Sequence, residues 1–396
     1  MVQLMNVLDF MMVMPLGDDF SKALGIAQSD VGYVAGAYTL AAFASGVIGA
    51  RFLDRFCRKR VLLVAMLGLA AGTVLGGFAV GLWSMLASRV VAGLFGGPAT
   101  ATSLAIVADV VPVERRGRAM AVVMAGFSVA SVIGLPLGLI LARHGSWRTP
   151  FFVISGLVLV TLVLVWMWMP TLTGHLERTH RRTPALQLLA RREIMFGLAT
   201  TGCVMFSVFS IVPHFPTYLI NNLDFPRDQY ELLYLAGGIV SFAVLQIAGR
   251  WVDRHGSLPV ITAGTIVAVT SIVTGFLFEP PFVPVVVAFT LFMASGSLRG
   301  VAQSTLSTRL PAPHERAQFM SLQSAVQHAA ATLGAFATAS IMVTDPVTQH
   351  VSPMWVVAIV AIVAAAAAPM CLAVSERFLR RRDAAIPLPD PASAAS

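Results

Sequence analysis

Residues 49–60 read GARFLDRFCRKR, a charged turn between two long apolar runs. A second copy, GRWVDRHG, occupies residues 249–256. In both places an apolar run ends in an aspartate followed by an arginine, and a short basic turn comes next. Asp54 and Asp253 are separated by about half of the 396 residues, so this spacing predicts two homologous halves.

Other residues repeat at one common offset. The same residue type is found 200 positions later for Arg116, Met120 and Gly134, at Arg316, Met320 and Gly334. Each half contains six apolar segments, so both halves begin on the same side of a membrane. They are therefore predicted to be parallel repeats about an axis along the membrane normal.

The composition argues against a soluble protein. The chain is 57% hydrophobic and 12% charged, whereas soluble domains carry about 25% charged residues, so a lipid-embedded protein is expected. The net charge of +8 is accompanied by no basic helix or aromatic-basic platform, which argues against a nucleic-acid partner. Cys57, Cys203 and Cys371 show no disulfide or metal-ligand spacing and are interpreted as small apolar fillers.

Twelve apolar segments are predicted, most of them long enough to cross a bilayer as helices. They cover residues 1–17, 31–53, 61–81, 84–110, 118–141, 150–170, 194–219, 230–252, 258–278, 283–308, 317–343 and 354–375. The predicted fold class is an all-α membrane protein with twelve transmembrane helices in two parallel, pseudo-symmetric six-helix bundles. No basic residue precedes the first segment, so no cleavable signal peptide is predicted, and a short preceding tail stays an open alternative.

Basic residues predict the orientation in the membrane. The loops on one side of the membrane contain four basic residues, Lys22, Arg143, Arg148 and Arg227. The other lysines and arginines outside the apolar segments lie on the opposite side. The more basic side is predicted to be cytoplasmic, together with both termini. The predicted bundles are residues 1–170 and 194–376, joined by a cytoplasmic linker at 171–193 and followed by a cytoplasmic tail at 377–396.

The charged turn resembles the loop signature G-x-x-x-D-R-x-G-R-K of the major facilitator superfamily, whose members are secondary transporters. The match consists of Asp54, Arg55, Arg58 and Lys59, while Ala50 and Cys57 replace the two glycines. The residues from Arg89 to Gly93 resemble the family's R-x-x-x-G pattern, and DVVPVERRG at 109–117 resembles its D-x-x-P-x-x-x-R-G ending. The resemblance covers essentially the whole chain.

The resemblance implies a gate on the cytoplasmic side. The assigned latch residues are Asp54, Arg55, Arg58, Arg115 and Arg116 in the first half and Asp253 and Arg254 in the second. A carboxylate at a helix end can meet the positive N-terminus of a neighbouring helix and nearby guanidinium groups. The second copy lacks the trailing basic pair, so it is expected to latch more weakly. Lys59 and Arg60 are interpreted as topology anchors.

Five polar residues inside the apolar segments are candidate site residues, since such residues usually face a cavity or a partner. They are Asn6, Asp9, Arg89, His214 and Arg299. In the superfamily the first, fourth, seventh and tenth helices line a central cavity. The resemblance therefore implies that Asp9, Arg89, His214 and Arg299 converge there.

Asp9 is the predicted proton carrier, because a low-dielectric cavity disfavours its charged form and a nearby cation favours it again. The alternative is a structural carboxylate paired with a group of the fourth or fifth segment. Arg89 resembles the family arginine that is linked to proton coupling, and its alternative role is hydrogen bonding between helices. Arg299 is predicted to meet an anionic substrate or to balance Asp9, whereas His214 is more typical of a packing residue.

The fifth segment has small residues at every fourth position, which predicts a smooth face for close helix packing. They are Gly126, Ala130, Gly134 and Gly138. Pro136 is expected to kink this helix where the glycines let it bend. The sequence GLPLG at 134–138 resembles the sugar-efflux-like branch of the bacterial drug:proton antiporters.

The predicted function is proton-coupled efflux of a small amphipathic drug or metabolite by alternating access. The protein is expected to be a monomer in the bacterial inner membrane, with substrate, protons and the lipid bilayer as its partners. No P-loop sequence occurs, so the proton gradient is the predicted energy source and no cofactor is expected. Proton-coupled uptake and a non-transporting sensor are the alternatives. An enzyme is not indicated, because the sequence suggests no nucleophile–base pair and no metal cluster.

Overall fold

The computed structural model describes residues 1–52, 55–112, 123, 126, 129–172, 185–278, 281–311 and 315–384 of the chain. Long helices dominate it, as expected where the backbone must satisfy its own hydrogen bonds in lipid. The helices of the first half are α1 (Val2–Met12), α2 (Gly17–Leu24), α3 (Val31–Phe52), α4 (Arg58–Gly77), α5 (Leu82–Val110), α6 (Leu135–His144) and α7 (Thr149–Trp168). Those of the second half are α8 (Arg192–Ile211), α9 (Tyr230–His255), α10 (Ser257–Phe276), α11 (Val285–Arg309), α12 (Arg316–Ile341) and α13 (Met354–Ala384).

Nine helical stretches among the described residues are long and apolar enough to cross a membrane. The three other predicted spans correspond to α1, α6 and α12. The short α1 is extended by a turn and α2, α6 continues a π-helical turn at Ala130–Gly134, and α12 has 26 residues but a more polar sequence. The prediction of an all-helical membrane protein of the twelve-span type is confirmed.

Each half is a bundle with the same internal contacts. In the first half, α4 packs against α5 and α7, and α5 also packs against α3. In the second half, α10 packs against α11 and α13, and α11 also packs against α9. The helix pairs of the first bundle therefore recur in the second, as the common sequence offset predicts.

The two halves meet along two helix pairs, α3 with α12 and α6 with α9. We call the end of the molecule that carries residues 169–172 and 185–192 the linker end, and the end that carries α2 the opposite end. One apolar core joins the halves, and its second-half members, such as Tyr218 and Phe289, lie toward the opposite end. A second core near the linker end, with Leu198 and Phe319, contains residues of the second half. The shared core therefore holds the halves together at the opposite end.

A left-handed glycine ends the first span at the opposite end. Gly25 has a φ of 65°, and its N–H donates to the carbonyl oxygen of Ser21. Glycine adopts this conformation without the steric cost of a Cβ atom. The turn reverses the chain from α2 into α3, which begins at Val31.

A short β-hairpin joins α12 to α13 at the opposite end. Its strands, β1 (Val343–Thr344) and β2 (Val351–Ser352), are antiparallel. In the turn, the N–H groups of Thr348 and Val347 donate to Asp345 Oδ1 at 3.0 and 2.8 Å. These bonds hold the pKa of Asp345 below its ordinary value.

The hairpin contacts both halves of the molecule. The side-chain amide of Asn222 donates to the Val351 carbonyl at 3.1 Å and accepts from the Val351 N–H at 3.0 Å, which fixes β2 to the second half. The Ser29 N–H, at the start of the second span, donates to Thr344 Oγ1 at 2.9 Å. The hairpin therefore bridges the two halves at the opposite end.

Candidate functional site

Asp9 and Arg89 form a buried ion pair in the first bundle. Arg89 Nη1 lies 3.3 Å from Asp9 Oδ2 and 3.4 Å from Oδ1. Thr73 Oγ1 donates to Asp9 Oδ1 at 2.7 Å. The guanidinium carbon of Arg89 also lies 5.3 Å from the centre of the Phe151 ring. The pair is therefore enclosed by α1, α4, α5 and α7, and both side chains are about 1% exposed.

Asn6 lies one turn before Asp9 and connects the same helix to two others. Its Nδ2 donates to the Gly96 carbonyl at 3.2 Å and to Thr100 Oγ1 at 2.5 Å. Tyr38 Oη donates to Asn6 Oδ1 at 2.8 Å. These bonds fix α1 against α3 and α5, so Asn6 positions the helix that carries Asp9.

The buried ion pair makes the environment of Arg89 depend on the charge of Asp9. An ion pair in a low-dielectric interior is stable only while both charges are present, because a lone buried charge is strongly unfavourable. Protonation of Asp9 would remove the partner of Arg89. The two protonation states of Asp9 therefore require different surroundings for Arg89.

His214 lies between the halves, and its described contacts do not include Asp9. It follows α8, and its Nε2 is 3.1 Å from Thr338 Oγ1 of α12. Gly32 of α3 packs against the imidazole ring, since a Cβ atom there would lie 3.2 Å from His214 Cε1. The residue is fully buried, and its Nδ1 has no hydrogen-bond partner among the described residues.

Arg299 lies inside the second bundle and does not join Asp9. Its side chain is fully buried, and its hydrogen bond within the described residues is to Ser295 Oγ at 3.5 Å. The expected convergence of Asp9, Arg89, His214 and Arg299 is therefore not observed. The reason is rotational: Asp9 and Arg89 face the interior of the first bundle, and Arg299 faces the interior of the second.

A polar network joins the halves at the opposite end. Asp18 of α2 accepts hydrogen bonds from Lys22 at 3.0 Å, from Gln28 at 3.1 Å and from Asn221 of the second half at 3.2 Å. Lys22 also donates to Asn221 at 3.0 Å, and Thr217 donates to Gln28 at 3.0 Å. Each half thus supplies partners for the polar groups of the other.

Two ion pairs extend this network. Arg227 of the second half pairs with Asp19 of α2, with an Nε–Oδ1 distance of 3.1 Å. Arg143 at the end of α6 lies 2.5 Å from Glu231 of α9. The contacts of Asp18, Asp19 and Arg143 with the second half are called the closure network below. The sequence did not predict the closure network, because single charged residues in loops form no recognisable motif.

Three predicted latch residues fall outside the described residues, namely Asp54, Arg115 and Arg116, and the described latch residues lie at the linker end. Arg55 is exposed, and the Arg58 N–H, at the start of α4, donates to the Leu172 carbonyl at 3.3 Å. Asp253 and Arg254 are exposed at the end of α9, and neither forms an ion pair with a described residue. Their gating roles stay predictions.

The small residues of the fifth segment face α1. Gly126, Gly134 and Gly138 lie against Leu4, Leu8 and Met12, respectively. Pro136 is at the start of α6, directly after the π-helical turn Ala130–Gly134. A π-helical turn and a proline both interrupt regular helical hydrogen bonding. The hinge role of Pro136 stays a prediction.

A comparison of the whole chain with known protein families identifies its relatives. The sequence profile of the Major Facilitator Superfamily matches residues 1–335 and 212–394. The chain belongs to this superfamily. Membership makes it a multi-pass membrane transporter and not an enzyme.

Relatives within the superfamily include exporters. The chain is 27% identical over 363 residues to a chloramphenicol resistance protein of Streptomyces lividans, with 89% of each chain covered. It is 29% identical over 262 residues to the multidrug resistance protein MdtG of Serratia proteamaculans, covering 64% of this chain and 63% of that one. A probable sugar efflux transporter of Helicobacter pylori (strain G27) is 25% identical over 251 residues, with 62% of each chain covered.

Solved structures of superfamily transporters share the fold. A D-xylose-proton symporter superimposes with a TM-score of 0.72 at 16% identity, covering 92% of this chain and 95% of that one. A bacterial homolog of the human lysosomal transporter Spinster, in an inward-facing and occupied conformation, gives a TM-score of 0.67 at 15% identity, covering 97% and 95%. At these identities the similarity establishes the architecture.

Proposed function

We propose that this protein is a proton-coupled exporter of small amphipathic drugs or metabolites in the inner membrane of a bacterium. Export is supported by relatives named for chloramphenicol resistance, multidrug resistance and sugar efflux. The excess of basic residues near the linker end supports a cytoplasmic location for that end and for both termini.

The ion pair of Asp9 and Arg89 carries the proposal of proton coupling. Both side chains are buried, and the pair is neutral as a whole. A proton that binds a carboxylate oxygen of Asp9 leaves Arg89, which stays protonated, without its counter-charge. Arg89 must then find water or another acceptor, so proton binding favours a different arrangement of α1 and α5. This difference links the proton to the conformational cycle.

The closure network supports an inward-facing state. In the proposed orientation the opposite end faces outward and is closed by contacts of Asp18, Asp19 and Arg143 with the second half. Substrate enters between the halves from the cytoplasm. Rupture of these contacts and closure of the linker end then expose the substrate to the outside.

Everted membrane vesicles containing the full-length protein test this function. Chloramphenicol is the first probe, and its accumulation is driven by an acidified lumen. Asp9→Asn should abolish gradient-driven accumulation while substrate–substrate exchange persists. The matched control is Asp224→Asn, the same change at an exposed loop residue, which should behave as the wild type. Full gradient-driven accumulation by Asp9→Asn would refute the role of Asp9.

The same vesicles decide the direction of coupling. For an exporter that exchanges substrate for protons, addition of the probe releases protons from the acidified lumen. If the proton gradient instead empties preloaded vesicles of the probe, the protein is a symporter and the export proposal is wrong.

A further inference from the structure

Arg299 is a fully buried cation without a counter-charge among the described residues. Its Nη2 lies 3.5 Å from Ser295 Oγ, which is a marginal hydrogen bond. Its Nε and Nη1 have no hydrogen-bond partner among those residues. Arg89, buried to the same degree, instead pairs with Asp9.

Such an arrangement is costly unless something balances the charge. An arginine stays protonated in proteins, and an unpaired charge in a low-dielectric interior is strongly unfavourable. The acidic side chains that the structure describes in the second-half helices are engaged or exposed elsewhere. Four are paired with arginines, namely Glu193, Glu231, Glu315 and Glu376, and Asp253 is exposed at the end of α9. The described carboxylates therefore do not neutralise Arg299.

Helix α10 packs closely against the arginine stem. Gly264 of α10 faces it, since a Cβ atom there would lie 2.9 Å from Arg299 Cγ. The hydroxyls of Thr265, the next residue, and of Ser207 in α8 are buried without partners among the described residues. Gly300, the residue after Arg299, is exposed, and a Cβ atom built there would have no neighbouring atom within 4 Å. Besides Arg299, the second bundle therefore holds further buried hydroxyls without partners among the described residues.

We propose that Arg299 binds a small monovalent anion, a carboxylate or a halide, inside the second bundle. Guanidinium N–H groups form strong, charge-assisted hydrogen bonds with such anions. The anion has two possible sources, a chloride ion that resides in the bundle or the carboxylate of a transported molecule. The site requires neither proton coupling at Asp9 nor a particular direction of transport.

The test is an equilibrium measurement on the purified full-length protein in detergent. The Tm is recorded in sodium chloride, sodium benzoate and sodium gluconate at equal ionic strength, because gluconate is too large and hydrophilic for a buried site. Chloride or benzoate should raise the Tm by about 3 °C or more relative to gluconate, because ligand binding stabilises the folded state. Equal Tm values of the wild type in all three salts would overturn the proposal without any variant.

Variants locate the effect at the arginine. Arg299→Gln should abolish the anion-dependent rise in Tm, Arg299→Lys should keep part of it, and Arg148→Gln at the opposite end should keep all of it. If Arg299→Gln does not fold, Gly264→Ala, which crowds the arginine stem, should reduce the rise. If the Tm of Arg299→Gln rises as much as that of the wild type, the anion binds at another site. If Arg299→Gln does not fold, a rise of wild-type size in folded Gly264→Ala leads to the same conclusion.

The two salts separate the two sources of the anion. A rise in chloride but not in benzoate assigns a resident halide. A rise in benzoate but not in chloride assigns the carboxylate of a transported molecule, and a rise in both assigns a site that accepts either anion. Because no transport is measured, this result is independent of the vesicle experiment on Asp9.

Discussion

Thr73 has one hydroxyl proton and two acceptors within reach. Its Oγ1 lies 2.7 Å from Asp9 Oδ1 and 2.8 Å from the Leu69 carbonyl oxygen. When Asp9 is ionised, the hydroxyl donates to the carboxylate. When Asp9 is protonated, its own O–H donates to Thr73, whose hydroxyl can then donate to Leu69. Thr73 therefore provides a hydrogen bond to both protonation states of Asp9.

This dual role predicts the effect of two substitutions at Thr73. Thr73→Val keeps the shape but removes the hydroxyl, and a hydrogen bond to a charged group contributes about 1.5–3 kcal/mol. Proton-driven transport in vesicles should therefore fall about tenfold or more and shift its dependence on pH. Thr73→Ser keeps the hydroxyl and should remain near wild type. Similar transport by the two variants would show that the hydroxyl is not used.

The sequence predicted some of these residue roles and not others. Asp9 and Arg89 were recognisable because charges within apolar segments are rare, and pairing with the fourth segment was one of the two interpretations of Asp9. Thr73 carried no signal, since threonines in helices commonly bond to their own backbone. The side to which Arg299 points depends on the rotation of α11, which single-sequence patterning does not fix.

At the scale of helices, glycines set two close contacts of different stiffness. A Cβ atom at Gly93 of α5 would overlap the backbone carbonyl oxygen of Tyr38 in α3. At Gly138 of α6 it would instead overlap the thioether end of Met12 in α1. A backbone atom cannot move away independently, whereas methionine adapts readily. Gly93 is also the glycine of the R-x-x-x-G pattern, and this contact gives that position its physical reason.

We therefore predict opposite outcomes for the same change at the two glycines. Gly93→Ala should lower the Tm of the purified protein by several degrees, because overpacking costs about 1–3 kcal/mol. Gly138→Ala should leave the Tm within about 2 °C of wild type, because the Met12 side chain can swing aside. Equal losses would show that the Met12 side chain is held as rigidly as the Tyr38 backbone.

At the scale of the whole molecule, the two ends are held differently. The repeated charged turn predicts a gate at the linker end, whereas the inter-half polar contacts observed among the described residues include the closure network at the opposite end. Hydropathy and the internal repeat predicted the architecture, since both are periodic. The pairing of Asp19 with Arg227 was not predictable, because it joins two ordinary loop charges through the tertiary fold.

Charge reversal at Arg227 should open the opposite end. The reporter is a cysteine at Ala35, a buried position of α3, in a protein without its three native cysteines. Arg227→Glu should increase the labelling of this cysteine by a membrane-impermeant maleimide in intact cells. The double change Asp19→Arg with Arg227→Glu should restore slow labelling by re-forming the pair with reversed signs.

The control for this experiment is Arg148→Glu. Arg148 is also at the opposite end, but it donates to the Ala79 carbonyl at 2.9 Å within its own half. Its reversal should leave the labelling rate unchanged. If both reversals accelerate labelling equally, net charge and not the inter-half pair controls opening.

The β-hairpin is a site at which the conformation of the transporter could be controlled from one side of the membrane. Its turn projects into solvent at Val347, while its strands bond to Asn222 in one half and Ser29 in the other. A protein that binds the hairpin together with the neighbouring loop of the first half would hold the two halves together at their interface. In the proposed orientation the hairpin faces outward, so such a binder would inhibit the transporter without entering the cell or competing with its substrate.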